Sequence, residues 1–146
     1  MRAAFYKGTS KGIKGFYNIA ARVTTKGIYS HCELIFSDGI SASASFIDGG
    51  VRFKEIEFDP DNWDFIDLPD ELESGARAWF RKHKYEGYDI LGNVRFILFA
   101  VPEEKQKWFC SEAVAKSLGL LQAWRYDPNT LYSALKFKSE SLHKKG

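Results

Sequence analysis

The chain of 146 residues is poor in the groups that build small stapled or metal-bound folds: it has two cysteines and three histidines. Two cysteines make no disulfide framework, and with so few ligands a Cys-rich zinc site is excluded. No cofactor is expected. Long apolar runs are missing too, the longest being Phe96 to Val101, against the roughly 20 residues that a spanning helix needs. The opening Met1 to Lys7 lacks the apolar stretch of a signal peptide. No membrane span is therefore expected, and the expected location is cytoplasmic. An excess of one charge is also absent, since 21 Lys+Arg face 19 Asp+Glu for a net +2. The tail is locally basic at Lys136 and Lys138 and again from His143 to Lys145, but the overall balance argues against nucleic acid as a partner.

What is present is apolar and aromatic: 45% hydrophobic and 16% aromatic residues, enough for one domain spanning 1–146 to bury its own core. Ala3 to Tyr6 reads as a short strand, and Phe16, Ile19, Ala20 and Val23 follow one helix face up to Gly27. Ser30 to Phe36 and Ile40 to Phe46 read as a hairpin around Ser37-Asp38-Gly39. Strict alternation predicts strands over Val51 to Phe58 and Trp63 to Leu68, so this half reads as an antiparallel meander. Beyond Pro69 the pattern turns helical: Glu71 to Lys84, Ile90 to Phe99, Cys110 to Leu118 closed by Gly119, and a last turn or two over Asp127 to Leu135. The fold class expected is α+β, an antiparallel sheet packed against helices.

Cys110 stands where an aromatic pair ends and a helix begins, so its sulfur would face unpaired N–H groups and the positive end of the helix dipole, which favours thiolate. A nucleophilic cysteine needs a base. His31 suits this best because it opens a strand after a turn, whereas His83 lies among charges and His143 in the tail. The competing reading is an ordinary packed thiol and a structural histidine.

If Phe36 pairs with Ile40, Ser45 lies across from His31 and Ser43 across from Glu33. One face then carries His31, Glu33, Ile35, Ser41, Ser43 and Ser45, and the other carries Cys32, Leu34, Phe36, Ala42, Ala44 and Phe46. Small hydroxyls around a His and a Glu would let a helix N-terminus approach that face and would help orient an imidazole; a solvent-facing polar side is the alternative. Cys32 should lie on the hydrophobic side, inert, and a Cys32–Cys110 disulfide is disfavoured in a cytoplasmic chain. Asp48-Gly49-Gly50 reads as a tight turn, with Arg52 and Lys54 on an exposed strand face. Tyr85, Tyr88 and Asp89 could line a groove, although aromatic residues near a helix break are more often core, and Trp108 reads as packing or as a wall beside Cys110.

Three segments, Thr24 to Leu34, Trp108 to Glu112 and Asp127 to Leu131, resemble the circularly permuted branch of the NlpC-type papain-like hydrolases, in which the His strand precedes the Cys helix. By element order the likeness runs from about Phe16 to Leu135, with 79 residues between His31 and Cys110. It implies a permuted papain-like fold and a thiol hydrolase, a peptidase or amidase or an acyl-ester hydrolase, acting on a peptide or an acylated small molecule. Cys110 would attack a carbonyl, His31 would serve as base and then acid, and N–H groups opening the Cys110 helix would meet the oxyanion. Relatives orient the imidazole with a polar residue on the neighbouring strand, where this chain has only serines. Glu33 is the expected replacement, with Ser45 the second choice. Glu112, in the first turn of the Cys110 helix, reads as structural. The alternative function is a binding or structural protein that keeps the shape without turnover.

Overall fold

A strand whose residues are apolar without alternation must be covered on both faces, and Ala3-Ala4-Phe5 has that character. In the computed structural model, which describes residues 1–8, 27–45, 47–88 and 107–143, β1 (Arg2–Tyr6) is accordingly interior to the sheet. It pairs antiparallel with β2 (His31–Ile35) on one side and with β5 (Trp63–Asp67) on the other. β2 continues through β3 (Ser41–Ser45) to β4 (Gly50–Lys54). Two short strands, β6 (Gly87–Tyr88) and β7 (Lys107–Trp108), extend the sheet to seven in the order β5-β1-β2-β3-β4-β6-β7. The five longer strands are antiparallel, and the chain is α+β.

The sheet departs from a plain meander in one place. β5 crosses to the outer edge of β1 instead of pairing with β4, whose free edge is taken by β6 at Gly50↔Gly87. β4 also stops at Lys54 rather than Phe58, because Lys54 faces Ser41, the first residue of β3, and no partner remains beyond it. The hairpin loop is as read: the Phe36 N–H bonds to Ile40 O at 2.9 Å, and Gly39 takes φ +84°, open to glycine at no steric cost.

Helix α1 (Glu73–Lys82), entered through a 3-10 turn at Asp70–Leu72, buries Ala76 and Phe80. Phe80 meets Phe36, just past β2, and Phe53 of β4 edge-on at 6.5 and 6.2 Å, which ties the helix to the sheet. Helix α2 (Cys110–Ser117) buries Ala113, Val114 and Ala115 and ends where Gly119 adopts φ +73°. Helix α3 (Pro128–His143) runs about two turns beyond the segment expected to end at Leu135. Its Leu131 and Leu135 are buried, and the basic tail residues Lys136 and Lys138 are simply its outer face.

The core lies between these helices and one face of the sheet: Ala3 and Phe5, Cys32 and Leu34, Ala42 and Ala44, Val51. Alanines on β3 leave room for α2 to lie close against β2 and β3. Tyr85 is not core: it is 82% exposed at φ +73°, under the Lys84 ammonium. The helices expected from Phe16 and over Ile90 to Phe99 lie outside the described residues, as do Asp89 and the side chains of Tyr88 and Trp108. Among the described residues no helix is long and apolar enough to cross a membrane.

Candidate active site

α2 starts abruptly. Phe109 is extended (φ −81°, ψ 157°) and supplies no side-chain cap, and the first backbone bond of the helix runs from the Ala113 N–H to Phe109 O at 2.8 Å. The N–H groups of the first turn thus have no helical acceptor, and they gather where Cys110 sits. Cys110 is 4% exposed.

His31 comes to the same point from β2. Its Nε2 is 2.7 Å from Glu33 Oε1, two residues along the strand and therefore on the same face. The other ring nitrogen, Nδ1, is left for a second partner, and the Cys110 sulfur is near enough to act on the ionisation of the ring. Trp63 stands edge-on to the imidazole at 6.3 Å.

The approach of the helix differs from the expected one. α2 packs on the face carrying Cys32, Ala42 and Ala44, not on the serine face. The hairpin register is the expected one, with Leu34↔Ala42 and Ile35↔Ser41, but the β2–β3 ladder goes no further towards His31. Beyond it, the Ser43 hydroxyl donates to Cys32 O at 2.7 Å in place of a backbone bond. The strands part at this end, and the Cys110 thiol feels both His31 and Cys32 although these alternate across the strand. The same parting removes Ser45 from the imidazole: its hydroxyl instead accepts the Asp48 N–H at 3.3 Å.

Glu33 is fully buried, and Arg52 makes the burial tolerable. Arg52 lies opposite Ser43 on the serine face and grips both carboxylate oxygens, Nη1 to Oε2 at 2.7 Å and Nη2 to Oε1 at 2.5 Å. Its Nε donates to Asp48 Oδ2 at 2.9 Å, and Lys54 Nζ to Asp48 Oδ1 at 2.8 Å. Arg52 is therefore not on an exposed face; its side chain is only 12% exposed. Asp48, read as a turn residue, is also its second counter-ion.

These contacts set the ionisation. Burial raises the Glu33 carboxyl, but the hydrogen bonds of Arg52 and His31 outweigh it and hold Glu33 below the usual carboxylate range. Burial likewise works against the imidazolium, yet the Cys110 charge and hydrogen bond, with Glu33 behind them, push His31 up to about 10. The Cys110 thiol is drawn well down, first by a hydrogen bond from the Cys32 thiol and then, against burial, by the charge of His31. Cys32 moves the other way, pushed up by burial and by the neighbouring sulfur. These directions favour a thiolate on Cys110 beside an imidazolium on His31 and a neutral thiol on Cys32, and both cysteines are free.

Cys110, His31 and Glu33 are thus brought together, and Ser45 is not among them. Arg52 and Cys32 complete the cluster without any sequence motif of their own; the pairing of Ser43 with both Cys32 and Arg52 is what places them. The Ser30 hydroxyl, next to His31 and buried, is the one such side-chain atom without a hydrogen-bond partner among the described residues. Searches against models of known protein families and against curated proteins match nothing.

Proposed function

We propose that the chain is a cysteine hydrolase or acyltransferase of permuted papain-like fold, related to the NlpC-type enzymes, that cleaves an amide or ester of a peptide or acylated small molecule. The reading rests on one observation above all: Glu33 holds His31 through Nε2 at 2.7 Å, and Cys110, at the start of α2, lies near enough for imidazole and thiol to shift each other's ionisation. The Cys110 thiolate attacks the carbonyl carbon, and the oxyanion accepts hydrogen bonds from N–H groups of the first turn of α2. His31 gives its proton to the leaving amine or alkoxide as the tetrahedral intermediate collapses to an acyl-enzyme. It then takes a proton from the incoming water or other acceptor, whose oxygen attacks the thioester and returns Cys110 as thiolate. A free thiol is needed throughout, which suits a reducing compartment such as the cytoplasm.

A second reading, a binding protein with a packed thiol, draws on the low exposure of Cys110. The two part on trapping with a p-nitrophenyl ester followed by intact-mass and peptide mapping. An enzyme yields one acyl adduct, on Cys110, with a burst of nitrophenol that Cys110→Ala abolishes. No burst, or acylation spread over lysines, leaves the binding reading.

A further inference from the structure

A histidine that must address a sulfur and a carboxylate at once depends on where its backbone is held, and β2 begins only at His31. The residues before it, Tyr29 and Ser30, lie outside the strand. Ser30 is tied to the sheet by its N–H on Tyr6 O at 3.0 Å. Tyr29 is tied by a side chain a hundred residues away. Asn129 Oδ1 accepts the Tyr29 N–H at 2.9 Å, and Asn129 Nδ2 donates to Tyr29 O at 3.0 Å. One carboxamide thereby satisfies both backbone groups of one residue, as a neighbouring strand would.

The geometry around this contact is built for it. Asp127 caps α3, its Oδ1 accepting the N–H of Asn129 at 2.7 Å and of Thr130 at 3.1 Å, while Thr130 Oγ1 accepts the Asp127 N–H at 3.0 Å. The Asn129 side chain is thus spared from capping. Gly27 makes the space: a Cβ there would lie 2.1 Å from Asn129 Cγ and 2.2 Å from Oδ1. The Tyr29 ring is held independently, its hydroxyl donating to Asp64 Oδ2 at 2.6 Å and its face lying 4.6 Å from Tyr132 of α3.

We infer that Asn129 is a positioning residue for His31: its carboxamide clamps the Tyr29 backbone and so fixes, from α3, the point from which the imidazole reaches Cys110. This rests on the reading of Cys110 and His31 as a reactive pair. Asn129 touches neither reacting group and acts only through the Tyr29–Ser30 lead.

The test is iodoacetamide labelling of Cys110 from pH 5 to 9 in the full chain, with thermal melts alongside. In Asn129→Ala the labelling rate at pH 6 should fall at least tenfold while the rate at pH 9 stays within about twofold, an upward shift of the profile. Gly27→Ala, which leaves Asn129 in place but crowds it, should shift the profile the same way. A lower melting temperature with the wild-type profile would mean a merely structural clamp and would overturn the inference. If wild-type Cys110 itself labels like a free thiol, the reading of the reactive pair fails instead, and that outcome is seen before any variant is made. Should neither variant fold, the milder Asn129→Asp, which keeps the acceptor for the Tyr29 N–H but loses the donor to Tyr29 O, is labelled in their place: an upward shift of the profile supports the inference and a wild-type profile overturns it.

Discussion

At the scale of single residues, the candidate site is a chain of ionisable groups, from Cys110 through His31 and Glu33 to Arg52 and Asp48. Three of its members could be read from the sequence by local rules: a cysteine opening a helix, a histidine opening a strand, and a carboxylate two residues along that strand. Arg52 could not, because alternation alone gives an arginine on a strand face no partner. Its role depends on the pairing of β4 with β3 and on how close Glu33 then lies. Removing the Glu33 charge should therefore matter for stability. Glu33→Gln breaks a buried pair, for which about 3 kcal/mol is expected near pH 7, the low end of the usual range since Arg52 keeps Asp48. A carboxyl held below its ordinary value contributes stability that is present above that value and lost as pH falls through the folded one. Urea unfolding at pH 7, 5 and 3 should thus show wild type losing more stability on acidification than Glu33→Gln, the two curves converging. Parallel curves would mean that Glu33 is not held as an anion.

At the scale of elements, the hairpin of β2 and β3 was legible down to its register, since turn chemistry and alternation agree there. Its parting beyond Leu34, where the Ser43 hydroxyl takes Cys32 O, was not, because alternation and turn chemistry carry no signal for where a ladder stops. A five-residue ladder continued to His31 would have put Ser45 opposite the ring. What lets α2 sit so close is the small size of Ala42 and Ala44, both fully buried. Ala44→Leu should overpack that contact and cost about 1–3 kcal/mol, whereas Phe80→Ala on α1 should leave a cavity and cost about 3–5 kcal/mol. Cys110→Ser, nearly isosteric, should cost far less than either. Chemical denaturation of the three variants gives the ranking; a Cys110→Ser variant as unstable as Phe80→Ala would mark Cys110 as a core thiol.

At the scale of the whole molecule, α+β character and the sequence of elements could be read from periodicity, but the order of strands could not. The apolar run of β1 implies an interior strand without saying between which neighbours, and only the long crossover from β4 to β5 closes that question. The site is likewise assembled from distant parts: His31 and Glu33 from β2, Cys110 from α2, Arg52 from β4, Trp63 from β5. On the proposed function such an assembly has one property that no member has alone, a thiol reactive in mild acid beside a second thiol that is not. The most direct test of the account is iodoacetamide labelling of the native chain from pH 5 to 9 with peptide mapping of both cysteines. Near pH 6, well below the ordinary cysteine value of about 8.5, Cys110 should alkylate and Cys32 should not. His31→Ala should move the Cys110 profile upward by removing its cationic partner, and His83→Ala should leave it in place. Equal labelling of Cys32 and Cys110, or a Cys110 profile indifferent to His31, would contradict the account.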